Sequence, residues 1–165
     1  MRTTVLFGLV AIIAGCGLAA DDAAVEEASP ADTANPQEQA SLYDRLGGEA
    51  AITAVVDRFI DELSNDDMLN DNPAIRAARD SVDPDELKAE VTALVCQATG
   101  GPQEYTGRTM AKSHAHMNIS GSEWDQMITI FVSVLDEFSV PEAKQGELLP
   151  IVESTKADIV LRPDQ

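Results

Sequence analysis

The stretch Thr109-Met-Ala-Lys-Ser-His-Ala-His-Met-Asn-Ile-Ser120 contains both histidines of the chain, His114 and His116. Neutral imidazole is the commonest protein ligand for metals, and one well-placed ring is enough to hold an iron. If the segment is helical, the two rings lie about 200° apart around the helix and cannot both face one metal. We therefore take His114 as a candidate iron ligand. The alternative is that both histidines are ordinary surface or core residues.

Two amphipathic segments with clear start signals lie on either side of this stretch. Asp83-Pro84-Asp85-Glu86 has the cap, first-position proline and acidic residue that open a helix, and Gly100-Gly101-Pro102 ends it. Ser120-Gly-Ser-Glu123 has the spacing of a capping box, and an apolar stripe from Trp124 to Phe138 follows it. These patterns predict two long helices beside the histidines.

The rest of the chain also has helical periodicity. Helices are expected after Ser41, over 51–63 and from Pro141 to Val160 with a kink at Pro150, and 65–82 is expected to be a long connection with one helical turn at 74–79. No alternating run is long enough to be a strand. The predicted fold class is therefore all-α.

The first 16 residues have the pattern of an export signal. Residues 1–15 combine a basic start with an apolar run that is too short to span a bilayer. The segment Ile13-Ala14-Gly15-Cys16 resembles the lipobox of bacterial lipoproteins, in which the cysteine is lipidated and becomes the new N-terminus. We expect a signal peptide over 1–15 and a lipid on Cys16 that anchors the exported protein to a bacterial membrane, facing the periplasm. The alternative is an ordinary cleaved secretory signal.

Residues 16–40 are expected to be a disordered acidic tether, because they are rich in Ala, Asp, Glu, Ser and Pro and contain no Lys or Arg. The globular domain is expected over 41–162. The net charge of −18 becomes −19 if the leader is removed with Arg2, and such a surface repels the phosphates of nucleic acids. With Cys16 lipidated, Cys96 is the only remaining thiol, so no internal disulfide is expected, and we expect Cys96 to be buried and turned away from the candidate site.

The order of these signals resembles that of group I truncated haemoglobins over residues 41 to 161. The residues that carry the resemblance are Leu42-Tyr-Asp-Arg-Leu-Gly-Gly48, Thr99-Gly-Gly-Pro102, Tyr105-Thr-Gly-Arg-Thr-Met110, His114, Ile119 and Trp124. The resemblance implies a truncated two-over-two globin sandwich, with four main helices around a b-type haem. It also implies that His114 is the proximal iron ligand, with Met110 one turn earlier against the porphyrin edge.

The same resemblance implies the rest of a haem pocket. The cofactor-binding residues it predicts are Ile60, Leu87, Val91, Leu94, Val95, Arg108, Met110, Lys112, Ile119 and Trp124. Among these, Arg108 and Lys112 are candidate partners for the haem propionates, together with Lys88, because cations are few in this acidic domain.

The distal side departs from the family pattern. Ile60, Leu87 and Val91 are apolar where family members commonly have polar side chains. A lost hydrogen bond of about 1 to 3 kcal/mol speeds oxygen release about ten to a hundred fold, so we expect weak oxygen retention. The alternative is that Glu90 or Tyr43 enters the pocket. A second departure is Asn72-Pro73, where the family has a phenylalanine that wedges the haem.

These observations favour a haem protein that binds diatomic gases such as O2, CO and NO at the iron opposite His114. An electron-transfer protein, with an unidentified redox partner and Lys88 or Glu90 as sixth ligand, is one alternative. Another is a haem enzyme for nitric oxide detoxification or peroxidase-like chemistry, although such chemistry usually needs a distal acid, base or hydrogen-bond donor. The last is a haem-free globin fold that serves as an interaction module.

Overall fold

The computed structural model describes residues 40–162, and most of them are helical. The elements in chain order are α1 (Leu42–Leu46), α2 (Gly48–Asn65), α3 (Asp67–Asn70), α4 (Pro73–Asp80), α5 (Pro84–Ala98), α6 (Met110–His114), β1 (Ile119–Ser120), α7 (Gly121–Glu137), α8 (Glu142–Glu153), α9 (Lys156–Ile159) and β2 (Val160–Arg162). The predicted signal peptide, the lipidation site at Cys16 and most of the predicted tether lie outside the described residues. Within 40–162 no helix has both the length and the apolar character needed to cross a bilayer.

The two capping signals beside the histidines form the expected hydrogen bonds. The Asp83 side chain accepts from the backbone N–H groups of Asp85 and Glu86 at the start of α5. At the start of α7, Ser120 Oγ accepts from the N–H of Glu123, and the Glu123 carboxylate accepts from the N–H of Ser120. These caps satisfy backbone donors that the helices leave unpaired. They set where two of the main helices begin.

Helix α2 packs against α5 through one buried face. Ile52, Val56 and Ile60 follow helical spacing on α2 and form a core cluster with Cys96 of α5. Cys96 is fully buried, and burial raises the pKa of its thiol, with a further contribution from the charge of Glu49. The α2–α5 pair is therefore held mainly by apolar contacts.

Helices α7 and α8 form the second part of the core. Phe59 of α2 meets Phe131 of α7 edge to face, with 5.2 Å between the ring centroids. Leu135 of α7 is 1% exposed and packs with Leu148 of α8. The prediction of an all-α fold is confirmed, and the main helices α2, α5, α7 and α8 enclose the core.

The connection between α2 and α5 is more helical than expected. Helix α4 contains the predicted turn at 74–79, but α3 was not anticipated. Each of these helices starts at a capping side chain: Asp66 Oδ1 accepts from the N–H of Leu69, and Asn72 Oδ1 accepts from the N–H of Ala74. Short Asx-capped helices carry too little apolar periodicity to be recognised from sequence.

The C-terminal segment differs from the single helix that was predicted up to Val160. Helix α8 includes Pro150 and ends at Glu153, α9 follows, and β2 then pairs in parallel with β1. Arg162 of β2 lies 3.2 Å from the Glu123 carboxylate at the start of α7. Strands of two and three residues are too short to show an alternating pattern, which explains why the small sheet was missed.

Candidate functional site

A cavity of about 650 Å³ is bounded mainly by α2, α5, α7 and the segment that contains both histidines. Most of its lining is apolar, and aromatic rings from α2 and α7 contribute through Phe59 and Phe131. The volume falls in the range that proteins use for small-molecule and cofactor sites. The cavity is therefore the candidate functional site.

Ten of the eleven residues that the sequence predicted for a haem site line this cavity. They are His114, Ile60, Leu87, Val91, Leu94, Val95, Arg108, Met110, Ile119 and Trp124. The exception is Lys112, which is exposed on α6 and does not line the cavity. It precedes His114 by two helical positions, about 200° around the helix, so the two side chains leave the helix in nearly opposite directions.

His114 is held by a backbone hydrogen bond at one ring nitrogen. Its Nδ1 lies 2.9 Å from the carbonyl oxygen of Met110, one turn earlier on α6. A carbonyl oxygen only accepts, so Nδ1 carries the proton and Nε2 keeps its lone pair. Burial lowers the pKa of His114, although the Met110 carbonyl acts in the opposite direction. The ring is thus neutral at physiological pH and able to bind a metal through Nε2.

His116 has a different environment. Helix α6 ends at His114, so His116 lies in the turn that follows, where it is exposed and borders the same cavity. The expectation that the two rings lie about 200° apart assumed a helix that continues to His116, so it does not hold here. His114 remains the half-buried histidine of the pair and the better candidate ligand.

The wall formed by α2 and α5 is apolar at the three positions where the resemblance led us to expect polar side chains. Leu87 and Val91 lie one turn apart on α5, and Ile60 of α2 is 8% exposed. All three line the cavity. None of these side chains can donate a hydrogen bond, so they give no polar stabilisation to a guest.

Glu90 and Tyr43 were the two polar side chains expected as alternatives in the pocket, and they take different positions. Glu90 lines the cavity from α5, whereas Tyr43 does not. The Tyr43 hydroxyl lies 3.4 Å from Nε2 of Gln103, which can donate to it, and its ring packs close to Gly101. Glu90 is therefore the candidate that the structure retains.

The loop over 105–108 contributes polar residues to the cavity lining. Tyr105 and Arg108 both line it, and the Tyr105 hydroxyl donates to the Arg108 carbonyl at 2.7 Å. Burial raises the pKa of Tyr105, and the nearby charge of Glu90 raises it further. Tyr105 was not predicted as a site residue, although it lies within the Tyr-Thr-Gly motif.

Asn72 stands where the resemblance predicted a wedging phenylalanine. It is 9% exposed, and its Nδ2 donates to the Met117 carbonyl at 3.1 Å. Its Oδ1 caps α4, and Ile75 in the first turn of that helix lines the cavity. The apolar side chain of Ile75 therefore lines this part of the cavity. It belongs to α4, and Asn72 connects the start of α4 to the segment after His114 by its hydrogen bond to Met117. The Asn-Pro pair is a helix-start signal that the sequence analysis did not use, and the hydrogen bond to Met117 has no sequence signal.

Lys88 lies outside the cavity. Its Nζ forms an ion pair with Asp61 at 2.7 Å, and this contact raises the pKa of Lys88. Its position lines a separate polar cleft between α2 and α5. Lys88 is therefore removed from the candidates for propionate binding or iron ligation. Cys96 also does not line the cavity, as expected.

The residues of the cavity fit a haem better than a bare metal ion. No group of three or more His, Cys, Asp or Glu side chains within 40–162 is arranged to hold a metal. A haem already supplies four nitrogen ligands to its iron and needs only one imidazole from the protein, which His114 offers. The apolar walls suit a porphyrin, and Arg108 offers a cation for its carboxylates.

Comparison with known proteins places this geometry among globins. The family model of bacterial-like globins matches residues 41–160. The group 1 truncated hemoglobin of Tetrahymena pyriformis is 27% identical over 120 residues, which are 73% of this chain and 94% of that protein. The group 1 truncated hemoglobin of a Synechocystis species is 29% identical over 115 residues, covering 67% and 88% of the two chains.

Solved structures agree with the sequence comparison. The Fe(III) form of the Tetrahymena pyriformis truncated hemoglobin superposes with a TM-score of 0.65 at 26% identity, covering 73% of this chain and 98% of that one. The 2/2 hemoglobin of a Synechococcus species, in the cyanomet state with covalently attached heme, gives 0.66 at 26% identity, covering 74% and 100%. The prediction of a two-over-two architecture is confirmed, and haem is supported as the cofactor.

Proposed function

The chain belongs to the bacterial-like globin family and is a haem-binding truncated globin, and on that premise we propose that it binds diatomic gases at an iron held by His114. A haem supplies an iron with one open position for such a gas. The described residues would provide the remaining contributions. His114 would present Nε2 to the iron, and the apolar walls would exclude water. Arg108 would neutralise a haem carboxylate, and Ile60, Leu87 and Val91 would line the space that the gas enters.

One observation carries this proposal. The neutral His114 ring, fixed through Nδ1 by the Met110 carbonyl, lines a 650 Å³ apolar cavity. The wall formed by α2 and α5 contributes three apolar side chains to the same cavity, and none of them can donate a hydrogen bond. CO and NO depend little on such a donor, so we expect the protein to hold them well and to release oxygen quickly.

The test is an absorption titration of the purified protein with haemin, followed by reduction and exposure to CO. His114→Ala is the variant, and His116→Ala is the matched control because it removes the other histidine bordering the cavity. We expect the wild type and His116→Ala to give the same imidazole-ligated spectrum and a CO shift, and His114→Ala to lose the imidazole signature. Identical spectra for all three proteins, or free haemin throughout, would contradict the proposal.

Electron transfer is the second candidate, and the position of Glu90 is what favours it. Glu90 is the acidic side chain that α5 contributes to the cavity lining, and a carboxylate can act as a sixth iron ligand or as an acid–base group. The spectra separate the two functions, because a five-coordinate reduced form favours gas binding and a six-coordinate form favours electron transfer. If Glu90 is the sixth ligand, Glu90→Gln converts the six-coordinate spectrum to a five-coordinate one.

We also propose that the protein is exported and anchored by a lipid on Cys16. The support is the Ile13-Ala14-Gly15-Cys16 sequence that follows a short apolar run. Expression in a bacterium with Cys16→Ser provides the test. The wild type is expected in the membrane fraction and to take up labelled fatty acid, and the variant to lose both properties. Equal fractionation and labelling would overturn this proposal without affecting the gas-binding one.

A further inference from the structure

Helix α6, which carries His114, is too short to fix its own position. It has five residues, and none of them is fully buried. A helix of this length is not stable in isolation, because its few hydrogen bonds do not offset the ordering of its backbone. The position of the His114 ring must therefore be set by the contacts that α6 and the segment after it make with the rest of the fold.

The segment after α6 is joined to α4 through the side chain of Asn72. The N–H of Met117 donates to the carbonyl oxygen of His114 at 2.9 Å. The carbonyl oxygen of Met117 in turn accepts from Nδ2 of Asn72 at 3.1 Å, across 45 positions of sequence. Two successive hydrogen bonds therefore connect the backbone of His114 to the Asn72 amide.

The Asn72 amide is used on both sides, which fixes its orientation. Its Oδ1 accepts from the N–H groups of Ala74 at 2.9 Å and Ile75 at 3.4 Å, as the cap of α4. With oxygen and nitrogen exchanged, the amide would face these N–H groups with donors and the Met117 carbonyl with an acceptor. Serine caps a helix as well as asparagine does but has no amide donor. The cap alone therefore does not require asparagine, whereas the contact with Met117 does.

The buried carboxylate of Glu123 holds the same amide from the start of α7. Glu123 is 7% exposed, accepts from the backbone N–H and the hydroxyl of Ser120, and lies 3.2 Å from Arg162. Burial raises the pKa of Glu123, but hydrogen bonds from Ser120 and Asn72, together with the charge of Arg162, lower it. Asn72 is itself 9% exposed, so water is largely excluded as a substitute partner. Its side chain is thus fixed by both α4 and α7.

We propose that Asn72 is a positioning residue for the iron ligand: its amide fixes Met117, and through it the backbone of His114, so that the imidazole is held in one orientation at the iron. This inference rests on the iron ligation by His114 proposed above. It gives position 72 a role different from the haem wedge of the resemblance, because Asn72 does not line the cavity and acts through the backbone.

The variants for the test keep each helix cap and remove one long-range hydrogen bond. Asn72→Ser retains a cap on α4 and loses the donor to Met117. Asp66→Ser is the matched control, because Asp66 caps α3 and its Oδ2 accepts from Nε2 of Gln126 at 2.8 Å. That bond joins α3 to α7 and does not reach the segment after His114. Asn72→Thr, with another capping side chain, repeats the first variant.

Two measurements are made on the haem-loaded proteins. The iron–histidine stretching band is recorded by resonance Raman directly after photolysis of the CO complex, when the sixth position is open in every protein. We expect the band to shift and broaden in both Asn72 variants, because a ring that is less restrained takes several orientations, and to stay unchanged in Asp66→Ser. Haemin transfer to excess apomyoglobin should be about three to ten fold faster in the Asn72 variants than in the wild type and Asp66→Ser, as expected for the loss of one neutral hydrogen bond.

A third measurement uses the haem-free proteins. The Nδ1–H group of His114 donates to the Met110 carbonyl, so its resonance should exchange with water more slowly than that of the exposed His116. We expect faster exchange at His114 in both Asn72 variants and the wild-type rate in Asp66→Ser. Urea unfolding is recorded alongside, and its midpoint should fall by similar amounts in Asn72→Ser and Asp66→Ser, because each loses one long-range hydrogen bond.

The outcomes are distinct. A changed iron–histidine band, faster haemin loss and faster His114 exchange in the Asn72 variants alone support the inference. Unchanged bands and rates in all variants, with only the urea midpoints lowered, mean that Asn72 contributes to stability alone and overturn it, as does an equal change of the band in Asp66→Ser. If the wild type takes up no haemin, or if His114→Ala keeps the iron–histidine band, the proposed function itself fails, which is visible before any Asn72 variant is compared.

Discussion

The chemistry of the site depends first on single side chains, and His114 shows how much a local contact decides. Its Nδ1 is fixed by the Met110 carbonyl at 2.9 Å, which leaves Nε2 as the free ring nitrogen. The sequence indicated the metal-binding residue type and its spacing from Met110. It could not indicate the tautomer, because that depends on the backbone carbonyl one turn earlier.

The apolar character of Val91 leads to a first prediction. Val91→Gln adds an amide donor to the cavity wall, so oxygen release should slow about ten to a hundred fold, whereas CO release should change little. Stopped-flow release kinetics for both gases provide the measurement. Glu86→Gln, which changes an exposed residue of the same helix, is the control. An equal slowing for both gases would point to a steric effect and contradict the prediction.

Glu123 leads to a second prediction at this scale. Burial alone would raise the pKa of Glu123, but hydrogen bonds from Ser120 and the charge of Arg162 hold it below the usual value. Glu123→Gln should therefore lower the free energy of unfolding by about 1 to 3 kcal/mol at pH 7. The loss should shrink at acid pH, because a group with a lowered pKa stabilises the fold only while it is ionised.

Urea unfolding at pH 7 and pH 4 measures this effect. Glu142→Gln is the matched control, since Glu142 is also an acid in the first turn of a helix but is exposed on α8. Equal losses for the two variants would mean that the buried capping box contributes no more than a favourable helix-terminal charge.

The elements of the fold differ in how readily they can be read from sequence. Helix α5 was predicted with its boundaries because Asp83 and Pro84 mark its start and Gly100 marks its end. Helix α3 was missed because its four residues carry too little apolar periodicity. The β1–β2 sheet was missed because its strands are short and are held by contacts between distant residues, such as Arg162 with Glu123. The tie from Asn72 to Met117 is of the same kind, since the two residues are 45 positions apart.

The junction between α5 and α1 supports a prediction about two glycines. A Cβ at Gly101 would lie 2.6 Å from the Tyr43 ring and 2.8 Å from the Cys96 carbonyl oxygen. A Cβ at Gly146 of α8 would meet no atom within 4 Å. Gly101→Ala should therefore lower the free energy of unfolding by about 1 to 3 kcal/mol. Gly146→Ala should raise it by about 0.5 to 1 kcal/mol.

Chemical unfolding of the two alanine variants tests both predictions. Each variant adds the same methyl group, so the two positions can be compared directly. The opposite signs are the informative result, because they separate a steric clash from the lower flexibility of the unfolded chain. Destabilisation of similar size at both positions would show that the close approach of Tyr43 to Gly101 is not what limits this site.

At the scale of the whole molecule, the fold and its cofactor were more predictable than the detailed pocket. Apolar spacing and the order of caps predicted an all-α fold, and the resemblance of residues 41 to 161 to group I truncated haemoglobins implied the two-over-two globin and its haem. Ten of the eleven predicted site residues line one cavity. Lys112 and Lys88 do not line the cavity. The sequence could not show this, because net charge says which cations are scarce but not the direction in which each side chain leaves its helix. The ion pair of Lys88 with Asp61 could be known only from the packing of α2 against α5.

The cofactor-free molecule should lose stability with acid in a window set by His114. Burial lowers the pKa of His114 in the folded state, whereas the unfolded histidine titrates near about 6.5. Below that pH the unfolded chain binds more protons than the folded one, so the free energy of unfolding must fall as pH falls. His114→Gln should flatten this dependence between about pH 7 and pH 5, while His116→Gln, at the exposed position, should retain it. Urea unfolding across that range measures both slopes, and equal slopes for the two variants would show that folding does not lower the pKa of His114.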